Sequence, residues 1–132
     1  MKNQTDIIEQ IRELAAHNED IAAVWLYGSR SKGNAQPHSD YDIAVAFKNF
    51  QLNSLDKFLR PNELAIDWSA SLGLPSDALS IVDINLAPTY LAYNIIETGA
   101  VLYSEGTSRV CREQDRIYSQ FEHQHIEQRR HA

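Results

Sequence analysis

The chain has 132 residues, 43% hydrophobic and 23% charged, with a formal net charge of −6. That length supports one folded domain over 1–132 and not two cores, and the acidic balance excludes a general nucleic-acid binder, which needs a basic face. Cys111 is the sole cysteine, the N-terminus MKNQTDIIEQ has no apolar signal core, and no stretch approaches the roughly 20 apolar residues of a membrane span, so a cytoplasmic protein without a disulfide framework is expected.

Taken in chain order, Asp6 with Glu9 resembles a capping box, and Ile7, Ile8, Ile11, Leu14 and Ala15 recur at helical spacing behind it. Ile21 to Tyr27 reads as a strand that ends in a Gly28-Ser29 turn, with a short helix and then loop over 29–39. From Asp40 the residues alternate: Asp40, Asp42, Ala44 and Ala46 on one face, Tyr41, Ile43, Val45 and Phe47 on the other, core-directed face. Leu55 to Leu59 gives a helical turn or two. Pro61 then suits a helix start, with Leu64, Ala65, Trp68 and Leu72 inward and Gly73 as stop. Ala78 to Leu86 is an apolar strand interrupted by Ser80, Asp83 and Asn85. Pro88 opens a helix that closes at Gly99, Ala100 to Tyr103 is a last strand, and 107–130 is an amphipathic helix with Val110, Gln114, Ile117, Tyr118, Phe121 and His125 on one stripe. Alternating strands and helices predict an α+β fold, a small mixed sheet flanked by helices. Two arginine clusters, Arg109, Arg112 and Arg116 and then Arg129 and Arg130, read either as solvated helix face or as a phosphate or partner site.

Chemistry concentrates between the first two strands. Glycine lets a backbone approach a phosphate closely, Ser29 adds a hydroxyl donor, and Arg30 and Lys32 offer charge. By itself a Gly-Ser pair after a strand is an ordinary turn. Asp40 and Asp42, at i and i+2, place two carboxylates on one face, where a divalent cation carrying nucleotide phosphates would relieve their repulsion. The third acid is Asp83. On its strand it shares a face with Ile81, so an unpaired charge there costs several kcal/mol. It is either held by backbone or an arginine, or it completes a three-carboxylate metal site on a strand beside 40–47. The second account is the expectation. His38, His123, His125 and His131 show no zinc-ligand spacing.

Gly28-Ser29, ten residues, Asp40-Tyr41-Asp42 and the later Val82-Asp83 together resemble the minimal nucleotidyltransferases of the DNA polymerase β superfamily over about residues 6–104. The resemblance implies that Asp40, Asp42 and Asp83 hold two Mg²⁺ ions, with Asp83 near the attacking oxygen. It also implies that Gly28, Ser29 and Arg30, with Lys32 less central, bind the phosphates of ATP. The short chain, its ending Gly99-Ala100-Val101-Leu102-Tyr103 and the Arg-rich last helix are similar to MntA-type antitoxins, partners of HEPN-domain (HepT-type) ribonuclease toxins. Members of that family transfer AMP from ATP to a toxin tyrosine, which implies the same activity and partner here. Two other readings stand beside it: a nucleotidyltransferase of small-molecule alcohols, and an antitoxin that only masks its toxin. The last helix could dock the partner or pack on its own sheet.

Overall fold

The computed structural model describes residues 3–106 and 108–130; within them a four-stranded sheet runs in the order β3-β2-β1-β4 between two helical layers. The strands are β1 (Ile21–Tyr27), β2 (Tyr41–Phe47), β3 (Leu79–Asp83) and β4 (Ala100–Ser104), and the helices are α1 (Gln4–Ala16), α2 (Ser29–Lys32), α3 (Ser54–Leu72), α4 (Thr89–Thr98) and α5 (Ser108–Arg130). β1 pairs antiparallel with both β2 and β4, and β2 pairs parallel with β3. This is the mixed α+β arrangement that the alternation of elements implies.

Both faces of the sheet are covered. Val24 and Leu26 of β1, Tyr41, Ile43, Val45 and Phe47 of β2, and Leu79 and Ile81 of β3 pack under α1 and α3, through Ile7, Ile11, Leu64, Trp68 and Leu72. The opposite face carries Ala23, Trp25 and Tyr27 of β1 with Ala44 and Ala46 of β2, under Ala92, Ile95 and Ile96 of α4 and Ile117 of α5. The aspartate-bearing face of β2 is therefore also a core face along most of its length, and at its N-terminal end Asp40 is exposed and Asp42 half-buried.

Several boundaries differ from the sequence reading, each for a local reason. The capping box lies one turn earlier: the Asp6 amide donates to Asn3 Oδ1 at 2.9 Å, and the Asn3 amide donates to Asp6 Oδ2 at 3.4 Å. Pro61 does not start a helix but lies inside α3, which is capped at Asn53, whose Oδ1 accepts from the Asp56 amide. The missing N–H at Pro61 removes one intrahelical bond, a cost of about 3 kcal/mol, and the Pro61 ring is buried. Apolar cover of Leu64, Trp68 and Leu72 on the sheet offsets that loss. β3 ends at Asp83 rather than running to Leu86, because Asp83 Oδ1 accepts from the Asn85 amide at 2.8 Å and its carbonyl accepts from Leu86 and Ala87. Such a side-chain-to-backbone turn competes with a strand.

The last helix divides. Arg109, Glu113 and Ile117, spaced by four, form its buried stripe, and Phe121 stacks on Tyr93 of α4 with ring centroids 3.8 Å apart. Beyond Phe121 the side chains are exposed except at Glu127. The first half thus packs on its own sheet, while Thr107 and His131 lie outside the described residues. Arg109 is no solvated face residue: its Nε donates to Glu113 Oε1 at 2.9 Å, Nη1 to the Phe47 carbonyl and Nη2 to Asn85 Oδ1. No helix among the described residues is long and apolar enough to cross a membrane.

Candidate active site

The antiparallel register pairs Tyr27 with Asp42, so the Gly-Ser turn and the acid pair meet at one end of the β1–β2 ladder although ten residues separate Ser29 from Asp40. Gly28 has φ 73° and ψ −155°, a backbone region essentially confined to glycine. A Cβ on it would sit 2.4 Å from Asp42 Oδ2. Both conditions demand glycine, and the second shows that the turn and the carboxylate share one small space. Ser29 is half-buried at the start of α2, and Gly33, with φ 78°, stops that helix after one turn.

Asp42 is half-buried and Asp40 is exposed just before β2. Burial raises the Asp42 carboxyl above its ordinary value of 3.8, and the nearby Asp40 charge raises it further. A cation between them would reverse that cost, so the donor set, two hard carboxylate oxygens beside a glycine cradle, suits Mg²⁺ and nucleotide phosphate. Tyr27 beside them is pushed up to about 12 by burial and by the Asp42 charge, so its phenol keeps its proton.

Arg30 binds oxygens of the chain itself. Its Nε and Nη2 both donate to the Ser39 carbonyl, at 3.0 and 2.7 Å, and Nη2 also reaches the Pro37 carbonyl at 3.2 Å. Nη1 donates to Gln4 Oε1 at 3.1 Å, and the guanidinium lies 4.0 Å from the centroid of the Tyr41 ring. Through its Nε and Nη2 bonds to the Pro37 and Ser39 carbonyls, Arg30 clamps the 36–39 loop that delivers Asp40 to β2. Lys32 is exposed. Ser31 ties the turn to α4 by donating from Oγ to the Thr98 carbonyl at 2.9 Å.

The three-carboxylate expectation joins Asp83 to the acid pair, and the structure places its side chain on the other face of the sheet. The parallel register sets Asp83 beside Val45 and puts Ser80 beside Asp42. Asp83 therefore shares the face of Leu79 and Ile81, under α3, opposite to the face of Asp42. There its Oδ2 lies 3.6 Å from Arg60 Nη2, and Arg60 Nη1 also donates to Asp20 Oδ2 at 3.0 Å. Burial raises the Asp83 carboxyl, and the Asn85 amide, Arg60 and Arg109 pull it back only in part. No group of three or more His, Cys, Asp and Glu side chains among the described residues is placed to hold a metal ion. A signal was present in the sequence: Asp83 has the same parity as Leu79 and Ile81, the apolar positions of its strand.

Residues 9–108 match the family model described as Polymerase beta, Nucleotidyltransferase. A protein adenylyltransferase MntA from Aphanizomenon flos-aquae (strain 2012/KM1/D3) is 28% identical over 127 residues, spanning 89% of this chain and 82% of the relative. Among solved structures, a toxin-antitoxin with AMP-PNP aligns with a TM-score of 0.71 at 22% identity, over 94% of this chain and 93% of the other. A tri-AMPylated Shewanella oneidensis HEPN toxin in complex with MNT antitoxin aligns with a TM-score of 0.70 at 21% identity, over 96% and 93%. Those two likenesses speak to the fold, and the family match covers the Gly-Ser turn, both strand-end acids and the whole sheet: the chain belongs to the polymerase β nucleotidyltransferase family.

Proposed function

We propose that this chain is the antitoxin of a HEPN-toxin pair and works as a Mg²⁺-dependent protein adenylyltransferase, moving AMP from ATP to a tyrosine of its toxin. The observation that carries the nucleotidyl-transfer chemistry is the placement of Gly28 beside Asp42, so close that a Cβ on the glycine would collide with the carboxylate, which presents phosphate cradle and acid pair as one surface. The relative named as a protein adenylyltransferase, aligned over most of both chains, supports the choice of a protein acceptor.

In this reading Gly28 and Ser29 hold the outer phosphates, Asp40 and Asp42 face the α-phosphate, and Lys32 adds a mobile charge at the rim. The acceptor tyrosine oxygen attacks the α-phosphorus and gives up its proton to water, an O–P bond forms, and the bond to the β-phosphate oxygen breaks with release of pyrophosphate. Mg²⁺, when bound, neutralises phosphate charge and polarises the reacting oxygens. The chain's own share is alignment: Arg30 fixes the loop before Asp40, Ser31 pins the turn to α4, and Gly28 leaves room at Asp42. Added phosphates on a ribonuclease tyrosine place negative charge where RNA phosphates must bind, which silences the toxin by repulsion.

The test is to combine the protein with its genomic neighbour, ATP and Mg²⁺ and to weigh that neighbour by mass spectrometry. Gain of AMP on a tyrosine, lost with Asp42→Asn, is the expected result. Inhibition of an unmodified neighbour would instead identify an antitoxin that acts by masking.

A further inference from the structure

Strand register makes a sharper statement about the metal site than the presence of three acids in the sequence. We propose that the metal-holding set of this chain is Asp40 and Asp42 alone, that Ser80 occupies the strand position where a third carboxylate would complete it, and that Asp83 is a structural residue. The proposal rests on the nucleotidyltransferase reading above and concerns how that site is built.

Three observations carry it. First, Ser80 is the parallel-strand partner of Asp42, and the next pair on that face is Val82 with Ala44. Adjacent strands lie about 4.8 Å apart and paired residues point the same way, so a side chain at 80 stands next to the Asp42 carboxylate. Leu79 and Ile81 are buried under α1 and α3, which turns Ser80 to the opposite side, and Ser80 is exposed there. Second, Asp83 is three residues further along β3, about 10 Å at strand rise, and on the other face of the sheet. Third, its carboxylate already has two tasks. Oδ1 accepts from the Asn85 amide at 2.8 Å and closes the turn that ends β3, while Oδ2 faces Arg60 of α3, which also donates to Asp20 in the turn before β1. Moving Asp83 to the metal would require flipping the strand by one residue and exposing Leu79 and Ile81.

The consequence is a site with fewer protein charges than a three-acid centre. Two carboxylates suffice for an octahedral ion that takes its remaining ligands from phosphates and water. A hydroxyl at position 80 is a far poorer ligand for such an ion than a carboxylate, so an acid grafted there should strengthen metal binding.

Binding of Mn²⁺ with AMP-PNP, followed by calorimetry and by the electron paramagnetic resonance of free Mn²⁺, tests this without any transfer reaction. The expected result is that Asp83→Asn binds within about twofold of the parent, Asp42→Asn loses binding, and Ser80→Asp gains about fivefold or more in Mn²⁺ affinity, the usual consequence of one more charged ligand. A tenfold loss in Asp83→Asn, with its circular dichroism unchanged, overturns the proposal. Should Asp83→Asn fail to fold, Ser80→Asp decides, since it alters an exposed position: a folded Ser80→Asp with no gain overturns it as well. A parent protein that binds no Mn²⁺-nucleotide at all would remove the nucleotidyltransferase reading itself, an outcome distinct from either.

Discussion

Single residues set the chemistry here through what they leave room for. At Gly28 a methyl group would meet Asp42 Oδ2 at 2.4 Å while the backbone holds a positive φ. Gly28→Ala is therefore expected to lower stability by about 1–3 kcal/mol and to remove nucleotide binding, measured by urea unfolding and Mn²⁺–AMP-PNP titration. Asp42 gives the opposite stability sign. Its folded carboxyl is raised by burial and by Asp40, so the fold binds that proton more tightly than the unfolded chain does. Stability from this group is greatest in acid and falls as pH rises from 3.8 through the raised folded value. Asp42→Asn should thus abolish transfer while keeping or slightly raising the melting temperature at neutral pH. A mutant that loses activity only because it unfolds would sink the catalytic assignment.

At the scale of elements, α5 and the turn after β3 are joined by a buried ionic cluster. Glu113 accepts from Arg109 Nε at 2.9 Å, from Arg116 Nε at 2.8 Å and from Asn85 Nδ2 at 3.0 Å. Burial alone would raise the Glu113 carboxyl, but the hydrogen bonds from Asn85, Arg116 and Arg109 win, and it lies below the ordinary 4.5. A depressed carboxyl stabilises the fold above its unfolded value and loses that contribution as pH falls through 4.5 toward the folded value. Glu113→Gln should therefore flatten the acid limb of the stability profile and cost about 3–5 kcal/mol at neutral pH, because Arg109 is left buried without its charge partner. The same helix predicts a contrast along its length. Ile117→Ala, at a fully buried position, should cost about 2–5 kcal/mol. Removal of 122–130, whose side chains are exposed but for Glu127, should cost under about 1 kcal/mol, both read from denaturant midpoints.

For the whole molecule, the fold is a frame that brings a turn and two acids to one end of a sheet, and the proposed reaction needs a cation there. Chelation with EDTA should stop AMP transfer and leave the far-ultraviolet circular dichroism unchanged, with Mg²⁺ restoring activity. Loss of the folded signal on chelation would mean that the metal is structural. Much of this was legible in the chain. The Gly28-Ser29 turn, the alternation through Asp40 and Asp42, and the helix stop at the left-handed Gly73 are local patterns, and local sterics and periodicity dictate them. The uninterrupted α3 through Pro61 was less legible, because packing on the sheet overrides a single residue's preference, and capping at Asn3 was missed because Asp6 can serve a box as its third helical residue as well as its cap. The role of Arg30 was hidden, since the carbonyls it binds become neighbours only when the 36–39 loop closes. Asp83 marks the limit most clearly. Sequence by itself determined that an acid interrupts an apolar strand beside the Asp40–Asp42 strand. Only the tertiary structure decided which face that acid takes: the register between β2 and β3, together with the presence of Arg60 on α3, is a property of long-range packing and not of either strand alone.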